Sequence, residues 1–127
     1  MLAFSVLNAN EFRDIKTISL KKDEIKKIVV QYDDFVKVFK LRWTLYTNGG
    51  LVTFHSYDQI VAQTMLYLRD KNQSFRVELK PRGADFYNVP YFLVKFKEFD
   101  TKNHKAVFEL FLSDKNEQIR LKYLKNN

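Results

Sequence analysis

Residues 36–47 alternate too strictly to be helical. Phe39, Leu41, Trp43 and Leu45 fall on one side, and Lys40, Arg42, Thr44 and Tyr46 on the other. A period of two marks a half-buried strand, because successive strand side chains point to opposite faces. The run stops at Asn48-Gly49-Gly50, where Asn and Gly accept the positive φ angles of tight hairpin turns. It resumes as Leu51-Val52-Thr53-Phe54-His55-Ser56-Tyr57, so the pattern predicts a β-hairpin over 36–57.

The same alternation recurs downstream. Phe75, Val77 and Leu79 alternate with Arg76, Glu78 and Lys80 until Pro81-Arg82-Gly83 breaks the run. Phe92, Val94 and Phe96 share one face, and Leu93, Lys95 and Lys97 the other. Ala106, Phe108, Leu110 and Leu112 point one way, while Ile119, Leu121 and Tyr123 oppose Arg120 and Lys122. Residues 91–124 are therefore expected to form a three-stranded antiparallel meander.

Segments 66–76 and 110–120 share Leu-x-Leu, then Asp-Lys-Asn, then a closing Arg. Two copies do not make a repeat protein, because stacked repeats need at least a third unit to bury their faces. The likeness is one of turn chemistry, since Asp and Asn bond back to their own backbone. It predicts a hairpin at Asp70-Lys71-Asn72 whose first strand starts near Gln63, with 58–62 open between helix and strand. Ile25, Ile28, Val29 and Tyr32 have helical spacing, but the β-branched run Ile28-Val29-Val30 favours strand–turn–strand around Lys21-Lys22-Asp23-Glu24. The sum is eight or nine short strands with at most one short helix, near 58–66 or 20–31. That is the pattern of an all-β, antiparallel β-sandwich, immunoglobulin-like, or of a small barrel. Its core should gather Phe39, Leu41, Trp43, Phe75, Val77, Phe108, Leu110, Ile119 and Leu121.

Composition agrees: 12 Phe, 7 Tyr and one Trp suit pleated, half-buried surfaces. The 127 residues fit one domain, taken as 10–127. Residues 1–9 read either as the end of a secretory signal cut after Ala9, or as an edge strand with Leu2, Phe4 and Val6 on one face. The first reading places the protein in the periplasm or outside the cell, the second leaves it in the cytoplasm. At the other end, Lys122, Lys125, Asn126 and Asn127 look like a solvated tail. No apolar run is long enough to cross a bilayer as a helix.

The absence of cysteine excludes disulfide scaffolds, thiolate metal sites and thiol nucleophiles. His55 cannot work with Ser56, its strand neighbour on the opposite face, although Asp58 could orient it; His104 falls at a turn tip. Glu78, Glu98 and Glu109 each have a basic neighbour, which fits cross-strand ion pairs better than a catalytic carboxylate pair. Asp33-Asp34 lacks the further oxygen ligands of a calcium loop, and three glycines cannot build a phosphate loop. No enzymatic activity, metal or cofactor is expected.

The basic residues offer more. The chain carries +7, with Lys16, Lys21, Lys22, Lys26 and Lys27 close together. Lys40 and Arg42 share a strand face with Tyr46, and Lys95 and Lys97 share one with Tyr91. Cations interleaved with aromatics on a sheet suit phosphates and stacked bases. Lysines also protect sheet edges from aggregation. The preferred expectation is a non-enzymatic binding or structural module with a protein partner in the cell envelope. Polyanion or single-stranded nucleic-acid binding through Lys40, Arg42, Tyr46, Lys95 and Lys97 is the alternative. A small apolar ligand held in a barrel is the third.

Overall fold

A computed structural model describes residues 12–69, 72–82 and 88–125. Residues 1–11 lie outside it, and with them both readings of the N-terminal segment. The described residues form strands β1 (Asp14–Lys21), β2 (Lys26–Tyr32), β3 (Phe35–Thr47), β4 (Gly50–Tyr57) and β5 (Ile60–Tyr67), followed by β6 (Ser74–Glu78), β7 (Tyr91–Asp100), β8 (Lys105–Ser113) and β9 (Arg120–Tyr123). None of them is in an α-helix, so 20–31 and 58–66 are both strand-forming.

Two antiparallel sheets result, in the orders β1-β8-β7-β6 and β5-β4-β3-β2-β9. They face each other as a β-sandwich and do not close into a barrel. The interior is filled by meeting side chains: Phe39, Phe92, Phe96 and Phe108 are fully buried, with Leu20, Ile28, Leu41, Leu51, Leu66 and Leu110 around them. The Phe39 and Phe92 rings meet at 5.3 Å across the two layers. The barrel expected to hold an apolar ligand is not formed, because the two sheets stay open at their edges and pack face to face. The immunoglobulin label covers the two-layer architecture, while the strand order is a pair of meanders, β2–β5 and β6–β8, with β1 and β9 added at their ends.

Tight turns build the first meander. The registers Tyr32 with Phe35, Thr47 with Gly50, and Tyr57 with Ile60 leave two-residue loops at Asp33-Asp34, Asn48-Gly49 and Asp58-Gln59. Asn48 and Gly49 have φ of 53° and 79°, and Asp58 and Gln59 51° and 68°, the left-handed pair that matches strand twist in a hairpin. β5 thus begins at Ile60, upstream of the expected Gln63, and 58–62 holds a turn and a strand start.

Two expected pairings are different in the fold. β5 and β6, which flank the Asp70-Lys71-Asn72 segment, belong to separate sheets; Asp70 and Lys71 lie outside the described residues, and the Asn72 carbonyl accepts the Tyr67 N–H at 3.0 Å. Residues 91–124 are not a three-stranded meander, because β9 leaves β8 and pairs with β2. The edge of β8 it would have used is taken by β1, from Asp14 opposite Leu112 to Lys21 opposite Lys105. Asp114 turns the chain away. Its buried carboxylate accepts the N–H groups of Gln118 (3.0 Å) and Ile119 (2.7 Å) and pairs with Arg13 at 2.6 Å. Lys122 consequently sits in a strand and not in a frayed tail.

Of the expected core, Phe75 and Leu121 are half-buried and pack against it, and the others are buried. Trp43 is 3% exposed and its indole N–H donates to the Leu20 carbonyl at 2.7 Å. Beyond Trp43 the alternation breaks. Register shifts between Trp43 and Leu45, and between Phe96 and Glu98, mark β-bulges at Thr44 and Lys97. An extra residue exchanges the faces of everything beyond it. Leu45 is therefore 50% exposed, and Tyr46 turns inward to stack on Phe99, 4.0 Å between centroids.

A candidate binding surface on the five-stranded sheet

The bulge corrects the expected basic–aromatic site. Lys40 and Arg42 stay on the outer face of the five-stranded sheet, but Tyr46 leaves it for the core. Lys95 belongs to the outer face of the other sheet, opposite Glu109 and Ser74 in register, and Lys97 is the exposed bulge residue there. Lys40 and Arg42 therefore lie on one side of the molecule and Lys95 and Lys97 on the other. The five residues do not form one site.

The cluster of Lys16 to Lys27 also divides. Lys16 lies over the Tyr123 ring at 4.6 Å, and the Lys26 ammonium donates to the Leu124 carbonyl at 3.0 Å. Lys27 faces outward, directly opposite Lys40. Like charges opposed across a ladder weaken a sheet, so this pair stands without a local structural benefit. Arg120 and Lys122 continue the basic row beside Gln31 and Val29.

Between these cations the face is apolar. Among the described residues, Val36, Val38, Leu45, Val61 and Met65 are exposed outward on it, with Ile25 in the turn at its rim. Phe35 and Ile60, also exposed, take the inward register of Tyr32 and Tyr57 at the sheet's end, and Ile15 lies on β1. Val38 lies opposite Val29, and Met65 opposite Val52. Arg42 holds its guanidinium 4.9 Å from the Phe54 ring centre and pairs with Asp23 at 3.1 Å. Ile25, Lys40, Arg42, Phe54, Ser56 and Val61 line a shallow hollow. Among the described residues, no outward position of β2, β3, β4, β5 or β9 is Asp or Glu; Asp23, Asp33, Asp34 and Asp58 stand in turns at its rim.

Sequence reasoning missed this apolar component. The signal was Phe35-Val36-Lys37-Val38-Phe39, apolar at both parities of one strand. Such a strand cannot bury both faces in a two-layer sandwich whose outer side is bare.

A second feature is a cleft of about 370 Å³ at the open rim, lined by His55, Tyr57, Asp58, Glu78 and Arg82 among others. His55 points inward and stacks on Phe75, 4.3 Å between centroids. Its buried Nδ1 has no partner, and burial lowers its pKa from 6.5, so it is neutral near pH 7. Asp58 does not orient it, because its carboxylate accepts from Lys37 at 2.7 Å. That bond holds the Lys37 ammonium above its ordinary pKa. The Arg82 guanidinium similarly holds the Glu78 carboxyl below its usual range, and Tyr57 donates to the Leu79 carbonyl at 2.6 Å. Burial raises the Tyr57 phenol far above its usual range. Within the cleft Lys37 thus pairs with Asp58 and Arg82 with Glu78, while Lys80 reaches out to Asp33 at 3.6 Å. His104 sits in the β7–β8 turn with φ of 54°, away from His55. Among the described residues, no three His, Asp or Glu side chains converge to hold a metal.

No family model, curated protein or solved structure matches the chain.

Proposed function

We propose that this protein is a non-catalytic binding module, and that the outer face of its five-stranded sheet docks an acidic protein surface with an apolar centre. The observation that carries this reading is the exposure of Val36, Val38, Leu45, Val61 and Met65 together on one outer face. Lys27, Lys40, Arg42, Arg120 and Lys122 accompany them there and, among the described residues, no strand position of that sheet bears a carboxylate. Exposed apolar area rimmed by polar groups is a common mark of protein contact. A one-sided charge selects the partner's sign and speeds encounter. The apolar run Met1–Leu7 supports a setting in the cell envelope.

The second reading, a single-stranded polyanion, is favoured by the opposed Lys27 and Lys40. It ranks behind because base stacking needs free aromatic faces. Tyr46 is turned inward, and Phe54 is half-buried with Arg42 over it.

Titration with a defined single-stranded oligonucleotide separates the two. Phosphate contacts release counterions, so affinity falls steeply with salt. The docking reading expects weak binding at low salt that disappears at physiological salt. Micromolar or tighter binding at that salt, reduced by Lys27→Glu with Lys40→Glu, would make the polyanion reading the better one.

A further inference from the structure

Among the described residues, four strands terminate the two sheets: β1 and β6 in one, β5 and β9 in the other. Three of them carry protection against pairing with another chain. β1 bears Asp14, Lys16 and Lys21, β6 is five residues long with Arg76 and Glu78, and β9 is four residues long with Arg120 and Lys122. Charge and brevity are the usual ways of blunting an edge. β5 has neither. It runs for eight residues as Ile-Val-Ala-Gln-Thr-Met-Leu-Tyr, without charge, Pro or Gly. Ile60 and Val61 are each 71% exposed there, and Met65 41%.

The backbone of β5 reveals which residues are free. The Thr64 carbonyl points at β4, where it accepts the Thr53 hydroxyl at 2.8 Å. The Tyr67 N–H points the other way, to the Asn72 carbonyl at 3.0 Å. Backbone groups alternate sides along a strand, so Val61, Gln63 and Met65 present their N–H and C=O groups at the open edge.

We propose that β5 pairs with β5 of a second copy of this chain, antiparallel about a two-fold axis through Gln63. In this register Gln63 exchanges backbone hydrogen bonds with Gln63 of the second copy, and Val61 does so with Met65 of the second copy. Every free position is then used. Centring the axis on Ala62 would leave Met65 facing a turn residue, and centring it on Thr64 would direct Val61 to Tyr67, whose N–H is already taken by Asn72. Faces also match, since Val61, Gln63 and Met65 all lie on the outer side of the sheet.

A second copy is the occupant because the free positions of β5 are symmetric about Gln63 and add no charge to the joint. Two chains of net charge +7 repel, and directly opposed like charges add to the cost. Pairing β1 or β9 with itself would bring lysines or arginines into the joint. β5 brings none. Its own sequence supplies a branched side chain opposite a long one, an amide opposite an amide, and exposed Ile60 opposite Leu66. The proposal concerns the backbone groups of the edge; the side chains of Val61 and Met65 there also belong to the docking face, which the pairing continues from one copy to the other.

Sedimentation equilibrium at tens of micromolar tests it. The wild-type protein should give twice the monomer mass of 15.2 kDa. Gln63 is exposed, so Gln63→Lys and Gln63→Glu should keep the wild-type far-ultraviolet spectrum. Each variant alone should sediment as a monomer, because identical charges meet at the axis, and an equimolar mixture of the two should recover the dimer. A wild-type protein that stays at the monomer mass would overturn the proposal. So would a Gln63→Lys variant that remains dimeric, or a mixture that fails to associate.

Discussion

His55 is a polar side chain used as a packing element. It fills the space between β4 and β6 by stacking on Phe75, and its Nδ1 is buried without a partner. Protonation must work against that burial. With the folded pKa below the unfolded 6.5, the unfolded chain binds more protons as pH falls, so stability is intact above about 6.5 and declines below it. The Glu78 carboxyl, whose folded pKa lies below 4.5, loses its contribution only as pH falls beneath that value. Urea unfolding between pH 7 and pH 5 therefore isolates the imidazole. His55→Phe should flatten the decline and add about 1 kcal/mol at pH 7, by removing an unsatisfied buried acceptor. An unchanged slope would place the titrating group elsewhere.

Residue alternation made the sandwich interior legible up to Trp43 and failed one residue later. A bulge inserts a residue without altering composition, so binary patterning continues as if the face had not changed. Phe96-Lys97-Glu98-Phe99 carried a clue, since two consecutive charged residues between aromatics cannot alternate. Trp43-Thr44-Leu45-Tyr46 carried the same aromatic spacing with a misleading Leu45. The two bulges meet in the fold, where Tyr46 stacks on Phe99 and Trp43 meets Phe99 edge-on at 5.4 Å.

At the level of elements, turns were readable and partners were not. Asn48-Gly49 and Asp100 to His104 do join neighbouring strands, the second through the Asp100 carboxylate, which accepts the N–H groups of Lys102 and Asn103 at 3.1 Å. The Asn103 side-chain amide bonds the same carboxylate and holds Asp100 below its ordinary pKa. Asp114 begins the same kind of motif and does something else. It anchors a crossing between sheets, because its second oxygen finds Arg13 from the far end of the chain. A contact between residues 13 and 114 leaves no trace in local pattern. Asp114→Ala would leave the N–H groups of Gln118 and Ile119 without their acceptor and Arg13 with only the Ile119 carbonyl, at an expected cost of about 3 kcal/mol. Hydrogen exchange should show the loss first in β9. A variant as stable as wild type, with β9 equally protected, would contradict this role.

Taken whole, the molecule has two unlike outer faces. On the four-stranded sheet Lys95 lies opposite Glu109, and Arg76 rests 3.7 Å from the Tyr91 ring centre, so charge is balanced and covered. On the five-stranded sheet cations and apolar side chains stand uncovered together. Site-specific photo-cross-linking compares the faces directly. A benzophenone side chain is placed at Val38, 37% exposed on the five-stranded sheet, or at Leu93 on the other, and each protein is irradiated in its source cells. The docking reading expects a discrete protein adduct from position 38 alone. Excess wild-type protein should suppress it, and excess protein carrying Lys27→Glu with Lys40→Glu should not. Equal adducts from both positions, or equal suppression by both competitors, would contradict a working surface on the five-stranded sheet.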